Sequence, residues 1–273
     1  SYLEALEKSG MQIYWPYHEN WDGVTPPVIT FDPGVEQSAN TGFSLGSVEE
    51  VIVEEETAKK SPVWVVNSNS DENYISNEIF RQLGGSKALR LGTLMVQKNG
   101  SEAVQSNDTK AKSEGFKTLM LKSVMPLRHH DCWFAGASEY FIKIGAIDHF
   151  SASSETELQL YSPFITDFMI VVKRKQMGTI QDCNVVLVSE WTDQLESCAF
   201  LIVEDDGGTV TNWKAECTVK VSSKSYGIVI SIPVNSRDDI IWRGSLSRQF
   251  LEAYAGETIH FGDMDVVFDF LEY

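Results

Sequence analysis

A strict two-residue alternation in the C-terminal half constrains the fold of this chain more than any other feature. Across residues 226–234, large apolar side chains occupy every second position, and mostly small or polar ones stand between them. Successive side chains of a strand point to opposite faces, so the pattern predicts a β-strand with one buried face. Residues 216–221 alternate in the same way. The short polar link 222–225 therefore predicts a hairpin of two strands.

Similar short apolar segments recur along the whole chain. In the C-terminal part we predict strands at 116–126, 137–144, 165–175, 183–189, 197–204, 239–243 and 264–270, with a short helix at 246–255. In the N-terminal part we predict strands at 11–15, 27–31, 48–54, 62–66 and 89–97, after a short helix ended by Gly10. Many strands with polar turns predict a mainly β protein. We expect an antiparallel β-sandwich at the C-terminus and a smaller, β-rich N-terminal region.

A polar stretch at 99–115 predicts the boundary between these parts. Val104 is its only bulky apolar side chain, and the rest is typical of a turn followed by a linker. The predicted domains are therefore 1–115 and 116–273.

The charge of the chain excludes several classes of partner. Lysine and arginine number 22 and aspartate and glutamate 39, which gives a net charge of −17. A negative surface repels nucleic acid and anionic membranes, so we expect neither as a partner. We also expect no membrane-spanning segment, because no apolar run approaches the roughly 18 residues that a spanning helix needs.

The four cysteines do not form a recognisable metal or redox motif. None lies in a C-x-x-C pair, which argues against a zinc ribbon or a thioredoxin-type site. Cys198 and Cys217 occupy inward positions of strand-like segments, so we predict that they are buried thiols. An even number of cysteines also permits two disulfides, and this alternative stays open.

No complete catalytic motif is present. Residues 42–46 match G-x-S-x-G, but a polar segment precedes them and a strand-like one follows, whereas a hydrolase nucleophile needs a strand before and a helix after. We therefore predict a turn and expect no enzymatic activity. A carbohydrate-directed hydrolase with acids from loops of both halves stays open as an alternative.

Two pairs of aspartates form the strongest candidate for an ion site. Asp205 and Asp206 precede two glycines, and Asp238 and Asp239 follow the predicted strand 225–234. Calcium prefers several carboxylates that converge from loops, so the four would share an ion if both loops lie at one end of the sandwich. The alternative is ordinary turn chemistry, in which aspartate and glycine are also favoured. No other cofactor is expected.

A cluster of aromatic and acidic residues near the N-terminus suggests a second kind of site. Trp15, Tyr17 and Trp21 lie within seven positions of one another, next to Glu19 and Asp22. Exposed rings stack on the apolar faces of sugars while carboxylates bind hydroxyl groups, so this cluster predicts a glycan platform. The alternative is that the rings are buried and plug the junction with the C-terminal sandwich.

The C-terminal end resembles a family of proteins. Residues 237–250, Gly256 and residues 261–270 are similar to the end of uncharacterised secreted or surface-anchored bacterial proteins that look like C2-type β-sandwiches. The resemblance implies export to the periplasm, the cell surface or the medium, with a lipid anchor upstream of the chain. It implies no activity and no functional residues, although a C2-type fold allows calcium at loop aspartates.

Together these features predict a noncatalytic secreted or cell-surface module that binds a glycan or a protein. A calcium-assisted C2-like module is the alternative that the aspartate pairs favour.

Overall fold

The computed structural model describes residues 11–32, 37–47, 49–68, 116–134 and 137–272. These residues form two compact units. The first contains the residues up to 68 together with 129–134, 137–138 and 171–177, and the second contains the remainder. The predicted N-terminal helix, the strand at 89–97 and the linker at 99–115 lie outside the described residues. The domain boundary near 115 therefore stays a prediction.

A five-stranded sheet organises the described part of the first unit. Its strands are β1 (Met11–Tyr14), β2 (Val28–Phe31), β3 (Ala39–Ser44), β4 (Glu50–Glu54) and β5 (Val63–Ser68). Their order is β1-β5-β2-β3-β4, with β2 and β5 parallel and the other neighbours antiparallel. A parallel pair needs a crossover, and here it runs through β3, β4 and the short helix α1 (Glu55–Lys60).

The two faces of this sheet have different surroundings. One face carries Val53, Val63 and Val65, which are fully buried with Ala58, Trp133 and Phe134. Alternate residues of the same strands point to the opposite face, where large apolar side chains stay partly exposed. The first unit therefore builds its core on one side of the sheet.

The second unit consists of two antiparallel sheets. Its strands are β6 (Lys117–Pro126), β7 (Ser138–Ala146), β8 (Phe164–Val172), β9 (Gln181–Trp191), β10 (Leu195–Glu204), β11 (Val210–Val221), β12 (Lys224–Asn235), β13 (Asp239–Ser247), β14 (Thr258–Phe261) and β15 (Met264–Glu272). One sheet has the order β12-β11-β10-β7-β8, with β13 also paired to β10, and the other has the order β14-β15-β6-β9. A helix α2 (Arg248–Ala253) follows β13, and 3-10 helices lie at His18–Asn20, Glu155–Leu160 and Arg174–Gln176.

Aromatic rings from both sheets form the core of the second unit. Phe200 on β10 packs against Phe261 on β14 and Phe268 on β15, with ring centroids 5.2 and 5.3 Å apart. All three rings are buried. The prediction of a mainly β fold with antiparallel sheets is confirmed. The more specific C2 topology stays a prediction.

Several local predictions from the sequence are also confirmed. β11 and β12 pair from Val210 opposite Asn235 to Val221 opposite Lys224, so the hairpin turns at the predicted polar link. Helix α2 buries Leu251, and Gly256 follows with a φ of 78°, a left-handed conformation that favours glycine. Within the described ranges, no helix is long and apolar enough to cross a membrane.

The cysteine prediction is confirmed for both inward positions. Cys198 and Cys217 are completely buried, and all four cysteines are free thiols. Burial raises the pKa of Cys217 to about 11 and that of Cys183 to about 12. Because the thiolate is the reactive form, these cysteines are chemically quiet at neutral pH.

Candidate binding site

Two tryptophans meet at the start of the first unit. Trp15 directly follows β1, and Trp21 follows the 3-10 turn His18–Asn20. Their ring centroids lie 5.4 Å apart with the planes tilted by 59°. Trp15 also packs edge to face against Trp64 on β5 at 6.0 Å, which anchors it to the sheet. Trp21 stays 43% exposed, so the pair presents an aromatic surface to solvent.

The loop after Trp21 holds its ring in place. The indole Nε1–H of Trp21 donates a hydrogen bond of 2.9 Å to the carbonyl oxygen of Thr25. The Asp22 carboxylate accepts from the backbone N–H groups of Val24 and Thr25 and from the Thr25 hydroxyl. These bonds lower the pKa of Asp22 to about 2, because they stabilise the charged carboxylate. The Asp22 carboxylate therefore stays ionised, and the loop keeps these hydrogen bonds, throughout the physiological pH range.

A small cleft lies beside Trp15. Its volume is about 200 Å³, and it is lined by Ile13, Tyr14, Trp15, Pro16, His18, Glu19, Lys173 and Lys175. Opposite charges face each other across it, with the Lys175 Nζ atom 3.9 Å from a Glu19 carboxylate oxygen. The cleft thus combines an aromatic wall with hydrogen-bonding groups of both signs.

The third predicted ring, Tyr17, points elsewhere. Its hydroxyl donates to the Glu55 carboxylate at 2.5 Å, and the Arg174 guanidinium donates to the same oxygen at 3.2 Å. Tyr17 also packs against the core of the first unit. Burial and the Glu55 carboxylate raise its pKa. The structure therefore brings Trp15 and Trp21 together, while Tyr17 supports the packing beneath them.

Two indole N–H groups in this region are buried without a hydrogen-bond acceptor among the described residues. They belong to Trp15 and Trp64. A buried donor left without an acceptor lowers the stability of the fold by about 1–3 kcal/mol, so the presence of these two groups is not explained by stability. Both lie in the aromatic cluster behind the exposed ring of Trp21.

The predicted aspartate pairs lie at one end of the second unit. Asp205 and Asp206 follow β10, and β13 begins with Asp239, which lies opposite Glu204 in the β10–β13 ladder. Asn235 connects the two loops. Its side-chain N–H donates to Asp205 at 2.9 Å, and its backbone N–H donates to Asp238 at 2.8 Å. Both loops therefore lie at the same end of the sheet.

The chemistry at this end combines turn contacts with close carboxylates. The backbone N–H of Gly207 donates to Asp205 at 2.7 Å, a hydrogen bond typical of an aspartate turn. Burial and the neighbouring Asp205 raise the pKa of Asp238. Asp206 and Asp239 are exposed. The turn contacts fit ordinary loop chemistry, and the close carboxylates fit an ion site. The calcium site therefore stays a prediction.

A positive charge that the sequence analysis did not single out lies near these acids. Lys143 on β7 is buried, and its Nζ atom lies 2.9 Å from an Asp167 carboxylate oxygen and donates to the Pro233 carbonyl at 3.1 Å. The Lys143 ammonium favours the ionised forms of both Asp167 and Asp238. It therefore supplies a positive charge beside these carboxylates from the protein itself.

The G-x-S-x-G segment spans the end of β3 and the turn that follows it, so the predicted turn covers only its last two residues. Ser44 is the last residue of β3, and a turn at Leu45 and Gly46 leads on toward β4. A hydrolase elbow needs a helix after its serine, and the next element here is a strand.

Comparison with protein-family models, with curated proteins and with solved structures found no match to this chain. The resemblance to exported bacterial proteins with a C2-type domain therefore stays a prediction.

Proposed function

We propose that this chain is a noncatalytic binding module that holds a glycan on the Trp15–Trp21 pair. One observation carries the proposal: an exposed tryptophan is fixed against a second tryptophan, at the edge of a cleft with polar walls. Aromatic rings offer a flat apolar surface for the C–H groups of a sugar ring. The Glu19 carboxylate and the Lys175 ammonium are available to bind the hydroxyl groups at its edge.

The rigidity of the loop supports this assignment. Ordering a mobile side chain on binding costs about 0.5–1.5 kcal/mol, and a ring that is already fixed avoids this cost. Trp21 is held by its hydrogen bond to Thr25, and the loop is held by Asp22. Because Asp22 is exposed and closes a local turn, its contacts order the loop more than they contribute to the core.

The charge of the chain favours a neutral sugar. At −17 the protein repels polyanionic glycans over long distances, while a neutral chain carries no such penalty. We therefore expect neutral oligosaccharides to bind better than uronates or sulfated glycans.

The magnitude of the stacking contribution follows from the exposure of Trp21. With 43% of its surface exposed, the side chain offers roughly 100 Å² to a ligand, which corresponds to about 2.5 kcal/mol at 25 cal/mol per Å². One sugar face covers about half of that area. Removal of the ring should therefore cost about 1.3 kcal/mol, or about tenfold in affinity.

Calorimetric titration of the full chain with a panel of soluble hexasaccharides tests the proposal. The panel contains cello-, xylo-, manno- and chitohexaose. We expect Trp21→Ala to weaken binding about tenfold, Trp21→Phe to retain most of it, and Val24→Ala in the same loop to change nothing. No binding to any member, or equal binding by wild type and Trp21→Ala, would contradict the proposal.

We also propose export for this chain. A noncatalytic glycan-binding module meets its ligand outside the cell, in agreement with the location that the C-terminal resemblance implies. Detection of the natural protein in a membrane-anchored or medium fraction would support this location, and its recovery with the soluble cell contents would argue against it.

A calcium-assisted module is the second candidate, and the Asp205–Asp238 pair favours it. Two carboxylates that share one asparagine need either a proton or a cation to relieve their repulsion.

A further inference from the structure

The face of the first sheet opposite its core carries several large, partly exposed apolar side chains. We call this side of the sheet the outer face, and its large apolar side chains include Ile13, Ile29, Phe31, Phe43, Ile52, Trp64 and Val66. Ile52 and Ile13 are 66% and 64% exposed, and Phe31 and Phe43 are 47% and 40% exposed. Large apolar side chains at this exposure make a surface that water solvates poorly.

The strand register places these side chains on one continuous surface. Ile13 lies opposite Val66, and Val66 lies opposite Phe31. One row therefore runs from β1 through β5 to β2, and Ile52 continues it on β4 opposite Thr41.

A second row lies beside the first. Trp64 lies opposite Ile29, and Ile29 lies opposite Phe43. Since both rows cross neighbouring strands, the outer face is one patch and not a set of scattered side chains.

The patch has the area that a stable pairing of two copies needs. Four side chains about half exposed, with three more partly exposed ones, offer roughly 500 Å² of apolar surface. Homodimer interfaces are about 65% apolar, so this area corresponds to roughly 800 Å² of total interface per copy. That is the usual size of a specific interface. The patch also lies within the upper range of the largest patch on a typical monomer.

The charges at the margins of the patch are complementary. On β4, Glu50 and Glu54 flank Ile52 on the outer face, which makes this margin acidic. Next to β1, at the opposite margin, Lys173 and Lys175 line the cleft beside Ile13. Lys175 lies 3.9 Å from Glu19 in the same cleft, so the attraction of a copy that turns its acidic margin toward this one rests on Lys173.

We propose that the outer face pairs with the outer face of a second copy about a two-fold axis parallel to the strands. β2 is the middle strand of five, so this axis stacks β2 on β2 and β4 on the partner's β1. Phe31 then lies at the axis, and Ile52 meets the partner's Ile13. Along the strand direction, Glu50 lies at the same level as Trp64 and Trp15. It therefore faces the end of the partner's β1, where the partner's Lys173 lies.

The alternative two-fold axis is disfavoured by charge. An axis perpendicular to the strands would stack β4 on the partner's β4. It would bring Glu50 and Glu54 against the same two residues of the other copy, and juxtaposed like charges cost stability. With the axis parallel to the strands, the partner's Ile52 and the partner's Glu50 lie against Ile13 and Lys173, two residues that also line the glycan cleft, so dimerisation and glycan binding should compete.

Sedimentation equilibrium of the full chain over a wide concentration range is the first test. We expect a mass of twice 30.6 kDa at the upper concentrations. Ile52→Lys should weaken self-association at least tenfold. Val229→Lys, at a site 62% exposed in the second unit, should leave it unchanged. A monomer at every concentration, or a dimer unaffected by Ile52→Lys, would overturn the proposal.

Cysteine cross-linking tests the axis itself. Phe31→Cys should give a dimer cross-linked by a short bismaleimide, because a residue at the axis faces its own copy across sheets about 10 Å apart, which is too far for a direct disulfide. Ile52→Cys should give none, because it faces the partner's Ile13. The reverse pattern would overturn the proposed axis.

Charge reversal supplies a further measurement. Glu50→Lys or Lys173→Glu alone should weaken the dimer, and both together should restore it, whereas additive losses would count against the pairing.

Discussion

Loss of the Lys143 ammonium should destabilise the second unit by about 3 kcal/mol. Lys143 is 8% exposed, and its Nζ atom lies 2.9 Å from Asp167 and 3.1 Å from the Pro233 carbonyl. At an effective dielectric constant near 20, the attraction at this distance is about 6 kcal/mol before desolvation is counted. Breaking a buried ion pair by removing one partner costs about 3–5 kcal/mol, and the lower end applies here because the Asp167 side chain is 34% exposed.

The proposed variant is Lys143→Met, which keeps the length of the side chain but removes the charge. Urea unfolding followed by far-UV circular dichroism gives the free energy of unfolding of the variant and the wild type. The control is Lys143→Met combined with Asp167→Leu, which removes both charges and should return the stability to within about 1 kcal/mol of the wild type.

The pH dependence of this loss has a definite sign. Burial raises the pKa of Asp167, and Lys143 partly opposes that rise. Without Lys143 the pKa rises further, so the ionised carboxyl is disfavoured and stability falls as pH rises through the folded-state pKa. The deficit of Lys143→Met should therefore be greatest at neutral pH and shrink toward acidic pH. A deficit below about 1 kcal/mol, no change with pH, or a double variant less stable than the single one would refute this reasoning.

Three further predictions concern other parts of the chain. Ile230→Asp should abolish the cooperative unfolding transition of the second unit, because it places an unpaired charge at a site only 2% exposed; an unchanged thermal melt would show the reasoning to be wrong. Asp22→Ala should weaken glycan binding with little loss of thermal stability. Because the Asp22 carboxylate stays ionised down to its pKa of about 2, its loop contacts persist at pH 5; equal glycan affinities for Asp22→Ala and the wild type would contradict the role of this loop. If the Asp205–Asp238 pair binds calcium, millimolar calcium should raise the melting temperature over that in EDTA by a few degrees, since a ligand at a hundred times its dissociation constant adds about 2.7 kcal/mol. Asp238→Asn should remove the shift, and a wild type that does not respond would leave these aspartates as turn formers.

Local patterns in the sequence were sufficient to predict much of the fold. The alternation at 226–234 predicted β12 because a strand with one buried face must repeat every two residues. The polar link before it predicted the turn between β11 and β12, and Gly256 predicted the end of helix α2. In each case the information lies within a few neighbouring residues. Cys198 and Cys217 were predictable for the same reason.

The candidate site was only partly predictable because it depends on contacts between distant segments. Trp15 and Trp21 are close in sequence, and their pairing was expected. The partner of Tyr17 is Glu55, which a local pattern cannot identify. Lys175 reaches the cleft from a segment far along the chain, and the sequence offered no signal for it.

The outer face was hidden in the sequence for a related reason. β2 and β5 pair in parallel although two strands and a helix separate them. Only this register places Phe31 beside Val66, so the apolar side chains become one patch only in the folded sheet.

The most direct test of the account is the affinity of the full chain and of Trp21→Ala for the hexasaccharide that binds best among the four. Titration calorimetry should show that the variant binds about ten times more weakly, while Val24→Ala matches the wild type and all three proteins melt cooperatively. Equal affinities for Trp21→Ala and the wild type, or no binding of any hexasaccharide by a folded wild type, would contradict the claim that the Trp15–Trp21 pair is a glycan site.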